Sequence, residues 1–564
     1  MGERRIQPFE GTVCITLPRK GKPQGLDVFA ADAGHVAHYH DLGADTAVYV
    51  VGKAVHPTLS GHAFLKWCVQ AAANDATAFR KVLGAYVIIL DDRKSGRVSF
   101  VSDPLGLLPW FVGESGGRLV AGTDVLNICD AGLSTREVDY DSVATWLCYS
   151  LVSTGGSIVR DYRRIATGAI SSFTPDGGRG GVTSYARLTY SHKVLAPELL
   201  VEELFDRARA SFDAFTRGVG ELNLPLSGGY DSRLLCALLT GRRDKLPFHA
   251  TVVESTPDET LNARRVAKAL NVPVEVMQCP RSKIDLFDDP LYFTAEGFPV
   301  PRNLTNAVAR KYPGMPLLSG YIGDGIMRGP MTSGGMAFLS LDDREHADEI
   351  LAREAHNRCV QLSNRMHLLR DHIAGRAEGR AQASMLAAIR EGRASGRPVA
   401  WTNLFIRQRL YFAHIFLSHM DVADALIPLT SWDIVEFNAS HVGSFGGDTY
   451  DHLFRRFFPT LAGIPHNTKL PESPHTDSGR EMMNRRLSEQ RPTRHLRHWS
   501  SDLARAVPSK FNRTAITPRK LLKRLASGLV LDGKYADDLG YLHRIHSFEE
   551  RLRQARVRID WSKI

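Results

Sequence analysis

A Ser-Gly-Gly-x-Asp-Ser motif has the residue types and spacing that bind phosphate; its members are Ser227, Gly228, Gly229, Asp231 and Ser232. Apolar residues precede the motif and continue after it at helical spacing, which predicts a strand, a glycine turn and a helix start. The glycines allow close backbone approach and a positive φ, and the helix start directs N–H groups at one point. The Asp231 carboxylate could hold Mg²⁺ against the phosphate. A strand-to-helix turn with a capping serine is the alternative interpretation.

The first 195 residues carry the pattern of an antiparallel sheet. Strand-like segments such as 86–90 and 98–101 are separated by turn residues such as 91–96. Short alternating strands joined by such turns are typical of antiparallel pairing. We therefore predict a first domain over residues 1–195.

The pattern changes near residue 200. Helical periodicity at 202–219 and 260–270 alternates with short apolar strands at 222–226, 248–253, 274–277 and 315–318. This alternation predicts a parallel sheet with helices on its faces. Ligands of such sheets bind at the carboxyl ends of the strands, where the motif lies. The second predicted domain, 196–564, continues with a largely helical part at 340–440, a loop-rich part at 441–500 and a final helix at 548–559.

Bulk composition excludes several classes of protein. The 564-residue chain is 43% hydrophobic and 23% charged, which is ordinary for a globular protein. It has no apolar run of 18 residues and no signal-peptide core, so we expect no membrane insertion. Its seven cysteines include no Cys-x-x-Cys pair and suggest free thiols in a cytoplasmic protein.

Positive charge is concentrated late in the chain. The net charge is +10, and residues 480–524 hold thirteen Lys or Arg against three acids. No nucleic-acid-binding signature accompanies this run, so a nucleic acid partner is not favoured. The run can be a solvated helical face or a docking surface for an acidic peptide or ATP.

The chain resembles the asparagine synthetase-like amide-forming enzymes. The 227–232 motif resembles the pyrophosphate loop of ATP pyrophosphatases. The first half contains weaker matches at 84–86, 103–106, 109–110, 164–168 and Tyr185. The resemblance implies an α/β protein whose N-terminal antiparallel sandwich is similar to a class II glutamine amidotransferase domain. Its C-terminal part would be a parallel-sheet ATP pyrophosphatase domain with helical additions, using ATP and Mg²⁺.

A second motif, at residues 318–325, completes the site that the resemblance implies. Asp324 falls on the family's second magnesium-binding aspartate, so Asp231 and Asp324 are the predicted metal ligands. The predicted nucleotide-binding set also includes Leu226, Val252 and Gly320. A turn residue among glycines is the alternative for Asp324.

Tyr321 falls where asparagine synthetases have a glutamate. The β-lactam synthetases of the family carry tyrosine here, paired with a later glutamate. Anchoring the later motif on Pro428 places Asp424 at that position. Tyrosine is a poor base unless a carboxylate takes its proton, so Tyr321 and Asp424 are the predicted base dyad. Packed-aromatic and salt-bridge roles remain the alternatives.

Two further predictions concern basic side chains. The resemblance implies a late lysine that meets the charge of the leaving groups, and Lys469 is the candidate, with a solvated surface lysine as the alternative. His414 and His419 lie five residues apart on an apolar helix and are predicted to be packed histidines.

The family's ammonia-producing members begin with a nucleophilic cysteine. Here Gly2 follows Met1, and the nearest cysteine, Cys14, lies in an apolar segment typical of a buried strand. We therefore expect no glutamine hydrolysis and an amine that is already part of the substrate, as in lasso peptide cyclases. The leading prediction is macrolactam closure of a lasso-type peptide. A peptide-processing protein is the predicted partner. The alternatives are a small-molecule lactam synthetase, an ammonia-using asparagine synthetase and a catalytically silent scaffold.

Overall fold

The structure is a computed structural model of the chain. It describes residues 13–16, 27–30, 36–39, 46–115, 118–130, 136–149, 156–174, 179–254, 257–278, 292–295, 298–301, 305–327, 347–363, 371–420, 422–444, 449–465, 548–549 and 551–563.

Strands dominate the first part of the described chain and helices the second. The strands are β1 (Val13–Thr16), β2 (Asp27–Ala30), β3 (Val36–Tyr39), β4 (Thr46–Gly52), β5 (Tyr86–Asp92), β6 (Arg97–Ser102), β7 (Phe111–Ser115), β8 (Arg118–Gly122), β9 (Arg136–Glu137), β10 (Arg163–Arg164), β11 (Ala169–Phe173), β12 (Arg179–Ser184), β13 (Leu222–Pro225), β14 (Phe248–Glu254), β15 (Val274–Gln278), β16 (Tyr292–Ala295), β17 (Phe298–Pro301), β18 (Leu317–Leu318), β19 (Ala425–Leu426) and β20 (Val557–Arg558). The α-helices are α1 (Gly61–Asn74), α2 (Val125–Asp130), α3 (Tyr140–Tyr149), α4 (Pro197–Thr216), α5 (Tyr230–Thr240), α6 (Pro257–Ala269), α7 (Thr305–Lys311), α8 (Gly323–Met327), α9 (Asp348–Ser363), α10 (Asp371–Gly392), α11 (Pro398–Thr402), α12 (Arg409–Met420), α13 (Trp432–Ser440), α14 (Thr449–Phe457) and α15 (Pro459–Ala462). Short 3₁₀ turns lie at Ala76–Lys81, Arg393–Ser395, Pro428–Thr430, Val442–Ser444 and Trp561–Lys563, and a π-helical segment lies at Asn403–Gln408.

Two antiparallel sheets form the N-terminal part, as the sequence predicts. One has the strand order β12-β11-β6-β5-β4-β3 and the other β10-β7-β8-β1-β2. The strands predicted at 86–90 and 98–101 are β5 and β6, which pair antiparallel. Asp92 closes the turn between them, since its Oδ1 accepts hydrogen bonds from the N–H groups of Lys94 and Ser95. Five consecutive residues of β4 are buried, so both faces of this strand are covered.

A five-stranded parallel sheet forms the centre of the second part, in the order β15-β14-β13-β18-β19. The four strands predicted for this region are present, and β19 is an addition that the sequence analysis missed. The chain runs outward from β13 to β14 and β15, and then returns to the other side of β13 with β18. Such a reversal leaves a crevice at the carboxyl ends of the two central strands, where ligands of open α/β sheets bind. The predicted α/β class is therefore confirmed.

Two of the sequence predictions were wrong in part. The loop predicted at 441–500 contains α14 and α15; residues 466–500 lie outside the described residues. The final helix predicted at 548–559 ends by residue 554, after which β20 pairs in parallel with β9. Pairing with β9 supplies hydrogen-bond partners that a local helical pattern does not reveal.

One large hydrophobic cluster contains buried residues of both parts. A small second cluster consists of Ala309, Leu317 and Ala423. The predicted division at residue 195 falls between β12 and α4 and stays a prediction. Among the described residues, no disulfide bond links the cysteines. No helix in the same ranges is both long and apolar enough to cross a membrane.

Candidate active site

The 227–232 motif forms the strand, turn and helix start that its sequence predicts. The strand β13 ends at Pro225 and α5 begins after Gly229. The Ser227 and Ser232 hydroxyl oxygens lie 2.9 Å apart. The N–H of Ser227 donates to Ser232 Oγ, and the N–H of Gly229 donates to Ser227 Oγ, both at 3.1 Å. A phosphate oxygen would therefore compete with the two serine hydroxyls for these N–H groups.

Glycine at position 228 is required by space. A Cβ there would lie 2.9 Å from the carbonyl oxygen of Glu259 and 3.0 Å from Asn262 Cβ. Neither Gly228 nor Gly229 adopts the positive φ that glycine allows. The close approach of α6 accounts for Gly228, since any side chain would push the turn away from that helix.

The loop after β18 packs directly against Asp231. A Cβ on Gly320 would lie 2.8 Å from Asp231 Cβ, and one on Gly323 would lie 2.9 Å from Asp231 Oδ1. Side chains do not approach this closely without displacement, so glycine at both positions lets the two loops meet. The structure thus brings together Asp231 and Gly320, two members of the predicted nucleotide site.

Backbone strain lies within the same loop. Ile322 has a φ of 67°, a conformation that costs a non-glycine residue on the order of 1–3 kcal/mol. Beside it, a Cβ on Gly323 would lie 2.6 Å from Leu429 Cδ1 as well as against Asp231. Packing on both sides of Gly323 holds the loop in this conformation.

Helix α14 covers the loop of residues 227–232, called the phosphate loop below after its predicted ligand. It does so through two tyrosine–aspartate contacts. The Tyr450 hydroxyl donates a hydrogen bond to Asp231 Oδ1, and the Tyr230 hydroxyl donates to Asp451 Oδ1. The two tyrosine rings stack with centroids 5.0 Å apart. The sequence analysis missed Tyr450 and Asp451, because they lie in a segment predicted to be a loop and match no motif.

Tyr321 packs against a buried histidine. The rings of Tyr321 and His419 are 5.0 Å apart and tilted by 57°. His419 is fully buried, and its Nε2 lies 2.7 Å from the hydroxyl of Thr305. Burial lowers the pKa of His419 to about 3, so the imidazole is neutral at physiological pH. His419 is a packed histidine, as predicted, and its contact with Tyr321 is new.

The predicted dyad of Tyr321 and Asp424 is not formed in the structure. Asp424 lies at the amino end of β19, whereas Tyr321 follows the carboxyl end of β18, and these strands run parallel. The Asp424 carboxylate instead accepts a 2.6 Å hydrogen bond from the Lys53 ammonium. This ion pair directs the Asp424 carboxylate to Lys53 rather than to Tyr321.

The remaining predicted residues differ in how far they are described. Leu226 and Val252 are buried in the sheet, and the N–H of Leu226 donates to the carbonyl of Thr251 at 2.8 Å. The backbone of Asp324 lies in α8, but its side chain is outside the described part. Lys469 lies outside the described residues altogether.

The residues present fit a magnesium-bound nucleotide. The backbone at Gly320 and Gly323 packs so closely against Asp231 that a Cβ at either position would collide with it, which brings the second loop to this carboxylate. This carboxylate also lies in the first turn of α5, whose N-terminus favours anions. The described residues hold no group of three or more His, Cys, Asp or Glu side chains suited to a metal. Magnesium usually needs only one or two carboxylates, together with phosphate oxygens and water.

Comparison with known proteins identifies the family. The asparagine synthase family model matches residues 209–509, more than half of the chain. The chain belongs to the asparagine synthase family. Members of the asparagine synthase family are ATP-dependent amide-forming ligases that activate a carboxylate by adenylation. The matched range includes the phosphate loop, the 318–325 motif and Asp424.

Two solved structures and a search of curated proteins add little to this assignment. One structure is the glutamine phosphoribosylpyrophosphate amidotransferase from B. subtilis complexed with ADP and GMP, at 9% identity over 59% of this chain and 74% of that chain, with a TM-score of 0.20. The other, the allosteric regulatory enzyme of purine biosynthesis, is 9% identical over 57% of this chain and 71% of that chain, with a TM-score of 0.21. TM-scores this low carry no argument about the chain. The search of curated proteins found no match.

Substitution of Gly320 should weaken nucleotide binding. In Gly320→Ala, the added Cβ meets Asp231 Cβ at 2.8 Å, so the aspartate must move away from its place beside the loop. We expect the Kd for Mg-ATP, measured by isothermal titration calorimetry, to rise about tenfold or more, which is about 1.4 kcal/mol. Gly379→Ala is the control, because among the described residues no atom outside the neighbouring backbone of its own helix lies within 4 Å of the added Cβ. Equal Kd values for both variants and wild type would contradict the role of Gly320.

Stability should fall in acid because of His419. Its pKa is about 3 in the folded chain and about 6.5 when unfolded, so between these values only the unfolded chain binds the proton. The free energy of unfolding therefore falls as pH drops below about 6.5, by up to about 1.4 kcal/mol per pH unit from this group. His419→Gln should reduce the slope in urea unfolding series at several pH values. Burial also lowers the pKa of His356, so part of the pH dependence should remain in this variant.

The control for this prediction is His62→Gln, a change at an exposed histidine. It should leave the pH dependence of unfolding as it is in wild type. An unchanged slope in His419→Gln would show that His419 does not remain neutral in the folded chain.

Proposed function

We propose that this member of the asparagine synthase family closes a macrolactam on a lasso-type peptide. In this proposal, an internal Asp or Glu side chain of the peptide is adenylated, and the peptide's own N-terminal amine then forms the amide. The meeting of two loops on Asp231, at the point where the strand order reverses, is the observation that carries the ATP-dependent part.

The reaction has two balanced steps. A carboxylate oxygen attacks the α-phosphorus of ATP, the bond to the β-phosphate breaks, and pyrophosphate leaves. The amine nitrogen then attacks the activated carbonyl carbon, the carbon–oxygen bond to AMP breaks, and the amine loses a proton. Bound Mg²⁺ would neutralise phosphate charge, with Asp231 and Asp324 as its proposed ligands.

The protein's own groups act on phosphate and on the amine proton. The N–H groups of the 227–229 turn and the N-terminus of α5 favour the charge of the departing pyrophosphate. We propose Tyr321 as the group that takes the amine proton. Asp424 could assist only after a rearrangement that breaks its bond to Lys53 and brings its carboxylate to the end of the strands where Tyr321 lies. Lys469 remains the proposed cation for the leaving groups.

An amine carried by the substrate is supported by the position of Cys14. This cysteine lies inside β1, where it pairs with Phe29 of β2 on one side and Gly122 of β8 on the other. A residue between two paired strands is not placed as the chain-terminal nucleophile that glutamine hydrolysis by this family requires. Holding both reacting groups on one molecule replaces an ammonia supply by proximity.

A peptide is the proposed substrate because of the charge of the protein. The net charge is +10, and opposite charge favours encounter with an acidic peptide. The basic run at 480–524 is proposed to bind such a peptide or a peptide-processing partner protein. It lies outside the described residues, so its contacts stay a prediction, as does a cytoplasmic location.

Product analysis tests the proposed function. The protein is incubated with Mg-ATP and either synthetic peptides that carry a free N-terminus and one internal Asp or Glu, or aspartate with ammonium. We expect a peptide product lighter by one water, with AMP and pyrophosphate in matching amounts, scored by mass spectrometry. The matched control is the same peptide with an acetylated N-terminus, which should yield no cyclic product.

The outcomes separate the candidate activities. Asparagine with matching AMP would overturn the cyclase proposal and leave an ammonia-using asparagine synthetase. Absence of ATP binding would overturn catalysis by adenylation and leave a silent scaffold.

Substitution of Tyr321 should slow the second step selectively. Tyr321→Phe removes only the phenolic oxygen, and general-base catalysis usually contributes roughly 10²–10⁴-fold, so we expect amide formation to slow by about 100-fold or more. ATP binding should stay close to wild type, because the change leaves the Asp231 loop intact. Tyr312→Phe is the control, since the Tyr312 hydroxyl donates a hydrogen bond to Glu275 in the outer strand β15. Amide formation within about tenfold of wild type would contradict a base role for Tyr321.

A further inference from the structure

Arg233 is a fully buried cation directly behind the phosphate loop. It lies in the first turn of α5, after the Ser-Gly-Gly-x-Asp-Ser motif. A buried charge is costly unless it is paired or well hydrogen-bonded. The hydrogen-bond acceptors of Arg233 therefore show which parts of the structure the guanidinium holds together.

The partners of Arg233 are backbone carbonyls from two distant parts of the chain. Its Nη2 donates to the carbonyl of Gly228 and to the carbonyl of Pro465, both at 3.0 Å. Its Nη1 donates to the carbonyl of Ile464 at 2.8 Å and, more weakly, to that of Leu461 at 3.5 Å. One planar side chain thus joins the phosphate loop to the 461–465 segment.

Aromatic rings fix the plane of this guanidinium. Its central carbon lies 5.1 Å from the ring centroid of Tyr230 and 5.5 Å from that of Phe454. The Tyr230 hydroxyl is in turn bonded to Asp451 of α14. The same helix carries Tyr450, which bonds Asp231. The loop, α14 and the 461–465 segment are therefore held as one unit around Arg233.

The bond to Gly228 orients the peptide group of the phosphate loop. Because a peptide group is planar, fixing the Gly228 carbonyl also fixes the direction of the Gly229 N–H. That N–H is one of the proposed phosphate donors. A change at Arg233 would therefore alter the loop without touching any group that contacts the nucleotide.

We propose that Arg233 is a positioning residue that couples nucleotide binding at the 227–232 loop to the placement of the 461–465 segment. The inference rests on the proposed function only in taking ATP as the ligand of the loop. The proposal predicts that ATP binding at the loop stabilises the 461–465 segment. It also predicts that this stabilisation depends on the hydrogen bonds of the Arg233 guanidinium.

The test combines calorimetry with amide hydrogen exchange on the full-length protein. In wild type, Mg-ATP should slow exchange both in the loop and at residues 460–464. Arg233→Gln should raise the Kd for Mg-ATP about tenfold or more and remove the ATP effect at 460–464. Arg233→Lys keeps the charge but cannot bond three carbonyls in one plane, so it should restore little of the coupling. Arg243→Gln is the control, because Arg243 is exposed and its side chain donates to the Asn271 carbonyl, away from the 227–232 loop.

The outcomes decide between coupling and simple packing. Loss of thermal stability with ATP-dependent protection at 460–464 retained would overturn the proposal, since a packing role alone predicts that result. Full rescue by lysine would also overturn it, because charge alone would then suffice. If both variants fail to fold, wild type decides: bound ATP without protection at 460–464 overturns the coupling.

Failure of the proposed function gives a different result. If wild type binds no ATP, the proposed adenylation is overturned. Amide hydrogen exchange in the absence of nucleotide would then test whether Arg233 joins the loop to the 461–465 segment. Faster exchange in the loop and at 460–464 together in Arg233→Gln supports the coupling, and a change in only one of them overturns it.

Discussion

The close packing of two glycines against Asp231 is the constraint on which the candidate site depends. Asp231 follows the loop after β13, and Gly320 and Gly323 follow β18, its neighbour in the sheet. Parallel pairing of these strands places both loops at one edge, and the missing side chains let them touch. The strain at Ile322 shows that the second loop is shaped by this contact rather than by its own preference.

The C-terminal elements complete the site from the other side. Helix α14 places Tyr450 on Asp231 and Asp451 on Tyr230, while the 461–465 segment receives the buried Arg233. These polar contacts are partly buried, and hydrogen bonds to charged groups contribute at most about 1.5–3 kcal/mol each. The phosphate loop is therefore supported by residues more than two hundred positions later in the chain.

The N-terminal sheets are joined to the second part of the structure, which contains the parallel sheet, by packing more than by charge. The ion pairs that cross between the two parts include Lys53–Asp424, Arg80–Glu436, Asp141–Arg380 and Glu137–Lys563. Their side chains are partly exposed, and such pairs usually contribute about 0–1 kcal/mol. The continuous core that includes residues of both parts is the larger contribution. The Lys53 pair also holds the carboxylate that the sequence analysis predicted as the partner of Tyr321.

The sequence alone determined the features that are local in the chain. The phosphate loop, its flanking strand and helix, the parallel sheet and the antiparallel first half follow from residue spacing and hydrophobic period, which neighbouring residues impose on one another. Tertiary structure decided the rest: Tyr450 reaches Asp231 across 219 positions, Arg233 reaches Pro465 across 232, and Asp424 reaches Lys53 across 371. No local pattern records such pairs, because they depend on the order of strands in the sheet and on which helix covers its edge. The predicted dyad did not form for that reason: aligning Asp424 by sequence said nothing of the end of the strand at which it lies.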